Sequence, residues 1–308
     1  MVAPANSFST ALKHFQSGQF VEAQRRLVDV VKSDPQQAEA WHLLGVIEFQ
    51  KSNFEAAVKH FHRAVQIEEC SAKYLTNLGS AWHALGDVSQ ATDCFERAVV
   101  ADPHCAESQT YLGIIRLQHR DLDAAEGCLQ SALHAAPQSW QARLNLGNVF
   151  RERRELDKAA EQYELALSIE PDSAEALLNL GELCMEQGRS ADAIPHLHRA
   201  AGLRPRAAAI QFRLADALRD IGDHAASVLA SQRGLSFQAS SFDGWIGLGM
   251  SSAALGKWSE AVASFRNAVS LQPDSAAAHV QMAEALRQSG NPDEAARHLA
   301  VAKVLEMQ

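Results

Sequence analysis

Apolar residues recur along this chain at helical spacing, in blocks of about a dozen residues separated by short polar breaks with Gly or Pro. In AEALLNLGELCMEQG, Leu177, Leu180 and Cys184 share one helical face, and in KAAEQYELALSIE so do Ala159, Tyr163 and Ala166. The blocks themselves repeat. Gly45, Gly79, Gly113, Gly147 and Gly181 stand 34 residues apart, and Gly249 falls two periods further on. Pro35, Pro103, Pro137, Pro171, Pro205 and Pro273 hold a second phase of the same period. A fixed period of this length is the mark of a repeat architecture.

Numbering each repeat 1 to 34 from Pro4, position 20 is alanine in eight of nine repeats, with Ser227 the exception. Position 7 is leucine from Leu44 to Leu248, and position 27 is mostly alanine. The spacing predicts two helices per repeat, over positions 2–14 and 18–31. Gly at position 15 (Gly18, Gly86, Gly188, Gly222, Gly256, Gly290) is expected to end the first helix in a left-handed conformation. Pro at position 32 follows the second, which it cannot continue. The small residue at position 8 is expected to face the alanine at position 20, so that the two helices approach closely. Leucine at 7 and Leu27, Phe61, Phe95, Leu129, Tyr163, Leu197, Phe265 and Leu299 at position 24 then fill the space between.

Length alone, 308 residues, suggests two or three domains. The period recasts it as one array over 4–308, in repeats 4–37, 38–71, 72–105, 106–139, 140–173, 174–207, 208–241, 242–275 and 276–308. The 54 alanines and the 6% aromatic content fit close helix packing.

The net charge is −9, with 15 basic and 17 acidic residues up to 154 and 13 and 20 after it, so neither half resembles a nucleic-acid binder. Apolar runs are too short for a membrane span, and the N-terminus lacks the pattern of a secretory signal. Five cysteines without a CxxC are read as reduced thiols of a cytoplasmic protein. Cys94 and Cys128 share position 23 of adjacent repeats, roughly 10 Å or more apart and too far for a disulfide. His60/His62 and His196/His198 are i, i+2 pairs whose rings point about 200° apart on a helix, so no metal or other cofactor is expected and these are read as surface histidines.

The phased Leu-Gly, Ala and Pro positions, complete in NLGNVFRERRELDKAAEQYELALSIEP, resemble the tetratricopeptide repeat (TPR) family. The resemblance implies an all-α, right-handed superhelical solenoid of nine 34-residue helix-turn-helix repeats. It also implies a concave groove lined by positions 2, 5, 6, 9, 12 and 13 of the first helices, and a role in holding a protein or peptide partner. Every residue of the array serves a repeat and the turns are short, so no catalytic site is expected.

Position 6 holds Asn77, Asn145 and Asn179, and position 9 holds Asn148. Asn costs about 0.5 kcal/mol in a helix relative to Ala, while its amide can pair with the backbone of any extended peptide. Local packing is the alternative explanation. These asparagines are similar to the asparagine-lined TPR arrays of O-linked N-acetylglucosamine transferases. There the array selects substrates for a separate catalytic domain, which this sequence lacks. A substrate-recognition or regulatory module of such an enzyme, acting in trans or on a longer chain, is therefore the second reading. The lysine that TPR clamps for chaperone C-termini carry at position 5 is missing here. His83 and Arg151 share the groove face by position, and Glu182, Glu186, Asp216 and Arg219 continue it. Those acids either pair with nearby arginines or receive a basic partner segment, in which case binding would weaken steeply with salt.

Two places break the pattern. The repeat 208–241 has Ser227, Ser231, Gly234 and Ala239 where Ala, a large apolar residue, Ala and Pro are expected, so its second helix should pack loosely. Pro195 falls inside a second helix, where it should kink it or sit near its first turn. The last helix carries Leu299, Val301, Val304 and Leu305 with no helix following. A longer protein, self-association through this end, or a tolerated apolar patch would each account for it.

Overall fold

The computed structural model describes residues 4–307, with side chains from residue 7. Among them the chain is all-α, with eighteen helices and no strand. Its packing divides into two compact units, Met1–Arg153 and Arg154–Gln308. The first holds α1 (Pro4–Gln16), α2 (Phe20–Ser33), α3 (Ala38–Gln50), α4 (Phe54–Ile67), α5 (Ala72–Ala84), α6 (Val88–Ala101), α7 (Ala106–Gln118), α8 (Leu122–Ala135) and α9 (Trp140–Glu152). The second holds α10 (Leu156–Ile169), α11 (Ala174–Glu186), α12 (Ser190–Leu203), α13 (Ala208–Asp220), α14 (His224–Phe237), α15 (Phe242–Ala254), α16 (Trp258–Leu271), α17 (Ala276–Gln288) and α18 (Pro292–Leu305). Helices occupy positions 1–13 and 17–30, one residue ahead of expectation at each end.

Local chemistry explains where they start and stop. Serines at position 34 (Ser139, Ser173, Ser241, Ser275) accept a backbone N–H of the first helix they precede. Asp87, Asp121 and Asp223, at position 16, do the same for the second helix. Each cap satisfies a donor the helix leaves unpaired, contributing about 1 kcal/mol. Position 15 is left-handed in every repeat: six glycines adopt it, and so do Ser52, Arg120 and Arg154 at φ 59 to 63°. A side chain there costs about 1–2 kcal/mol. Ser52→Gly is therefore expected to stabilise the protein by roughly 1 kcal/mol, read as a rise in the thermal midpoint; an unchanged or lowered midpoint would contradict this.

Within each unit, first helices pack on the second helix of their repeat, as in α3 with α4 and α13 with α14, and second helices pack on the next first helix. Position 20 is buried throughout, from Ala23 at 0% exposure to Ala295 at 3%. Position 8 meets position 20, as the spacing suggested: the Ala125 and Ala193 carbonyls lie 3.3 and 3.5 Å from where a Cβ on Gly113 and Gly181 would stand, and Ser227 Oγ donates to the Ala215 carbonyl. The nearest atoms to these glycines, however, belong to position 24. A Cβ on Gly45 would lie 2.5 Å from the Phe61 ring, on Gly79 2.7 Å from Phe95, and on Gly249 2.5 Å from Phe265. The absent side chain thus also makes room for the side chain at position 24. At position 24 Leu299 departs from the rest: it is 44% exposed, because among the described residues no helix covers the outer face of α18.

A second contact recurs between neighbours. Where position 4 is Trp, Arg or His, its side chain donates a hydrogen bond to the carbonyl six residues earlier, as Trp41 does to Pro35, Arg143 to Pro137 and Trp245 to Ala239, whereas Leu75 and Leu177 have no donor there. His279 Nε2 does so to Pro273 at 3.0 Å, which leaves its Nδ1 facing His298 Nδ1 at 2.7 Å.

The repeat 208–241 is not loosely packed. Phe212 fills the volume that its small residues leave: a Cβ on Gly234 would lie 2.4 Å from its ring, and one on Gly244 2.6 Å. Ser227 is fully buried and donates to the Ala215 carbonyl, with Ser251 Oγ 2.9 Å away. The helix α12 continues through Pro195, which lies beyond the first turn.

Candidate partner-binding face

First helices of successive repeats touch within each unit: α3 with α5 and α7 with α9 in the first, α11 with α13 and α13 with α15 in the second. By helical spacing, positions 2, 6, 9, 12 and 13 fall toward one side of each first helix, although Leu43 and Ser80 among them are buried. Position 5, expected to line it, is buried in four repeats, with His42 and Thr76 at 3% exposure and Leu144 at 2%, and half-buried or exposed in the others, Val280 at 37%.

In the first unit Asn77 is half-buried on α5, and its Nδ2 donates to His42 Nε2 at 2.7 Å. Asn145, on α9, donates through Nδ2 to the Gln141 carbonyl of its own helix, 2.8 Å away. Each therefore uses its amide N–H on the protein, and among the described residues neither Oδ1 carries a hydrogen bond. His83 leans on the Tyr111 ring at 5.7 Å, and Tyr111 stacks on Phe95 at 4.7 Å. Asn148 and Arg151 line a shallow cavity of about 200 Å³ with Leu117, Gln118, Arg120 and Glu152.

His42 belongs to a wider network. Glu39 Oε1 lies 3.7 Å from His42 Nδ1, and the same carboxylate receives Lys73 Nζ at 2.9 Å and the Tyr74 hydroxyl at 2.8 Å. The imidazole, then Lys73 and Tyr74, outweigh burial and hold the Glu39 pKa at about 2. The Tyr74 hydroxyl is pushed well above its ordinary range by burial and by Glu39.

In the second unit Asn179 is half-buried on α11. Arg213 Nε donates to Glu182 at 2.9 Å and approaches Asp216 at 3.7 Å, while Arg219 donates to Asp216 at 2.7 Å. Arg154 stands 3.7 Å from Glu186, and Ser190 donates to Asp220 at 2.9 Å. The acids of this face are thus engaged by the protein's own donors. Gly247, at position 6 of the next repeat, leaves the space into which the Arg219 guanidinium extends, 3.0 Å from where its Cβ would stand.

One histidine of each pair is less solvated than the sequence suggested, while His62 and His198 are exposed. His60 is half-buried and stacks on Trp41 at 5.7 Å, and burial lowers the pKa of both His60 and His196. Among the described residues no group of three His, Cys, Asp or Glu is placed to hold a metal. All five cysteines are free, and burial raises the Cys94 thiol to about 11. No described helix is long and apolar enough to cross a membrane.

Paired helices of constant length, a left-handed residue at each hairpin and contacts confined to near neighbours define a helical-hairpin repeat protein. The tetratricopeptide repeat model matches residues 8–74, 76–127, 112–174, 165–197 and 178–241, and a second model of the same description matches 252–303. The chain belongs to the tetratricopeptide repeat family. Over 81 residues it is 32% identical to the UDP-N-acetylglucosamine–peptide N-acetylglucosaminyltransferase of Caenorhabditis elegans, a match covering 26% of this chain and only 7% of that enzyme. Among solved structures, MamA is 26% identical with a TM-score of 0.51, over 53% of this chain and 95% of MamA. YrrB, described as a TPR protein with an unusual peptide-binding site, superposes with a TM-score of 0.54 at 19% identity, over 61% of this chain and 96% of YrrB. A chain of the APC/C hetero-tetramer Cut9–Hcn1 reaches 0.66 at 15% identity, over 90% of this chain and 55% of that one. The last two likenesses concern the fold alone.

Proposed function

We propose that this protein is a non-catalytic scaffold that holds an extended segment of a protein partner against the faces of its first helices. The observation that carries this reading is the state of the position-6 amides. Asn77 and Asn145 are half-buried and anchored through Nδ2, with a carbonyl oxygen left to accept a backbone N–H from a bound chain. The acids around Glu182 and Asp216 already face arginines, which favours recognition through backbone hydrogen bonds over recognition of a basic segment.

The test is a random peptide array probed with the full chain at pH 7.5, repeated with Asn77 and Asn145 both changed to Ala. Each lost hydrogen bond is worth about 1 kcal/mol, so the double variant is expected to bind the selected peptides at least tenfold more weakly. Equal binding by both proteins would remove the asparagines from the site. The local identity to the Caenorhabditis elegans transferase supports a second reading, in which the same face presents substrates to an enzyme in trans or on a longer chain. Selected peptides rich in Ser and Thr acceptor sites would favour it.

A further inference from the structure

Within the first unit, the Asn77 amide is oriented by a titratable partner, whereas the Asn145 amide is oriented by a backbone carbonyl. An amide Nδ2 only donates, so His42 Nε2 must accept at 2.7 Å and carry the lone pair. The neutral ring then bears its proton on Nδ1, which lies 3.7 Å from Glu39 Oε1 and has no other partner among the described residues. The ring is 3% exposed, held between Phe61 at 5.7 Å and Tyr74 at 4.9 Å, so it cannot swing out to water. The charged and titratable groups around it are Glu39 on its own helix and Lys73 and Tyr74 on α5, whereas α4 contributes the Phe61 ring.

We propose that His42 determines which hydrogen bond Asn77 offers to a bound partner: the lone pair on Nε2 holds the amide NH2 and leaves Oδ1 free to accept a partner N–H. Glu39, beside Nδ1, favours the ring form with its proton on that nitrogen. His42 is thus a positioning residue for specificity, acting through Asn77, and the proposal rests on the binding face described above.

The experiment has two arms on the full chain. In the first, two-bond ¹H–¹⁵N spectra assign the His42 tautomer, with His42→Phe identifying its signals. At pH 7.5 the Nδ1–H form is expected, and an Nε2–H tautomer would overturn the proposal. In the second arm, a peptide selected at pH 7.5 on the random array is titrated at the same pH against the native chain, His42→Phe and Asn77→Ala. Its affinity is expected to fall about fivefold for each variant. A His42→Phe protein that binds the peptide as the native chain does, while Asn77→Ala loses affinity, would also overturn it. If no peptide binds, the binding-face reading fails and takes this proposal with it. A peptide that binds while the tautomer is wrong removes His42 alone.

Discussion

Phe212→Ala is expected to destabilise the second unit by about 3 kcal/mol, the lower end of the range for truncating a packed Phe because the ring is only partly buried. The ring occupies the space left by two glycines, Gly234 on the second helix of its repeat and Gly244 on the next first helix, so its removal opens a cavity that neither can fill. The nearby apolar cluster of Val228, Leu235 and Leu248, against which Phe212 and Trp245 pack, would lose one wall. Repeat arrays do not unfold as a single all-or-none unit. The loss should therefore appear both as a lower urea midpoint and as faster hydrogen exchange in α14. The double variant Phe212→Leu, Gly234→Ala recreates the pair that Leu178 and Ala200 form in the preceding repeat, and should recover most of the stability. A Phe212→Ala protein within 1 kcal/mol of the native one would show that the ring is not the filler.

The same substitution should have opposite signs at two other glycines. Gly45→Ala would place a methyl 2.5 Å from two carbons of Phe61, a ring only 1% exposed. Overpacking of this kind costs about 1–3 kcal/mol, more than the roughly 1 kcal/mol that alanine gains over glycine in a helix. Gly127, in the middle of α8, has nothing within 4 Å of its Cβ position. Gly127→Ala should keep the propensity gain and stabilise the chain by about 1 kcal/mol. Urea midpoints of the two variants should move in opposite directions. If both rise, position 8 is not a close-contact position, and the ring at position 24 does not depend on a glycine to seat it.

These variants mark where the sequence was legible and where it was not. Glycine at position 15 and proline at position 32 located the helix ends to within one residue, because each acts through its own backbone torsion. The position-8 glycines were legible as small. That the side chain at position 24 also enters the gap was not, since spacing along one helix does not say which side chain of its partner enters it. Read column by column, the repeat 208–241 looked defective. Its compensation, a large residue at position 5 matched to glycine at position 27, appears only when two columns are read together. The caps at Ser139, Ser173, Ser241 and Ser275 were readable in the sequence as a Ser recurring at position 34. The candidate site divides in the same way. Its amide and acid residues were visible as types at fixed positions. The partners that orient them, His42 for Asn77 and Arg213 for Glu182, lie 35 and 31 residues away and belong to neighbouring repeats. A periodic arrangement with His at position 5 preceding Asn at position 6 of the next repeat is the signal that would have found the first.

The bond from position 4 to the carbonyl six residues earlier has a consequence for how such a chain can change length. Tryptophan, arginine and histidine all make it, at 2.8 to 3.0 Å, so the bond constrains reach more than side-chain identity. One added residue in the connecting turn would lengthen the path by up to about 3.5 Å and rotate the following helix out of phase with its neighbour. Adding or removing a whole repeat preserves both distance and phase. Growth of the array is thus quantised: it tolerates steps of 34 residues far better than steps of one, and an uninterrupted register from Pro4 onward is what that rule produces.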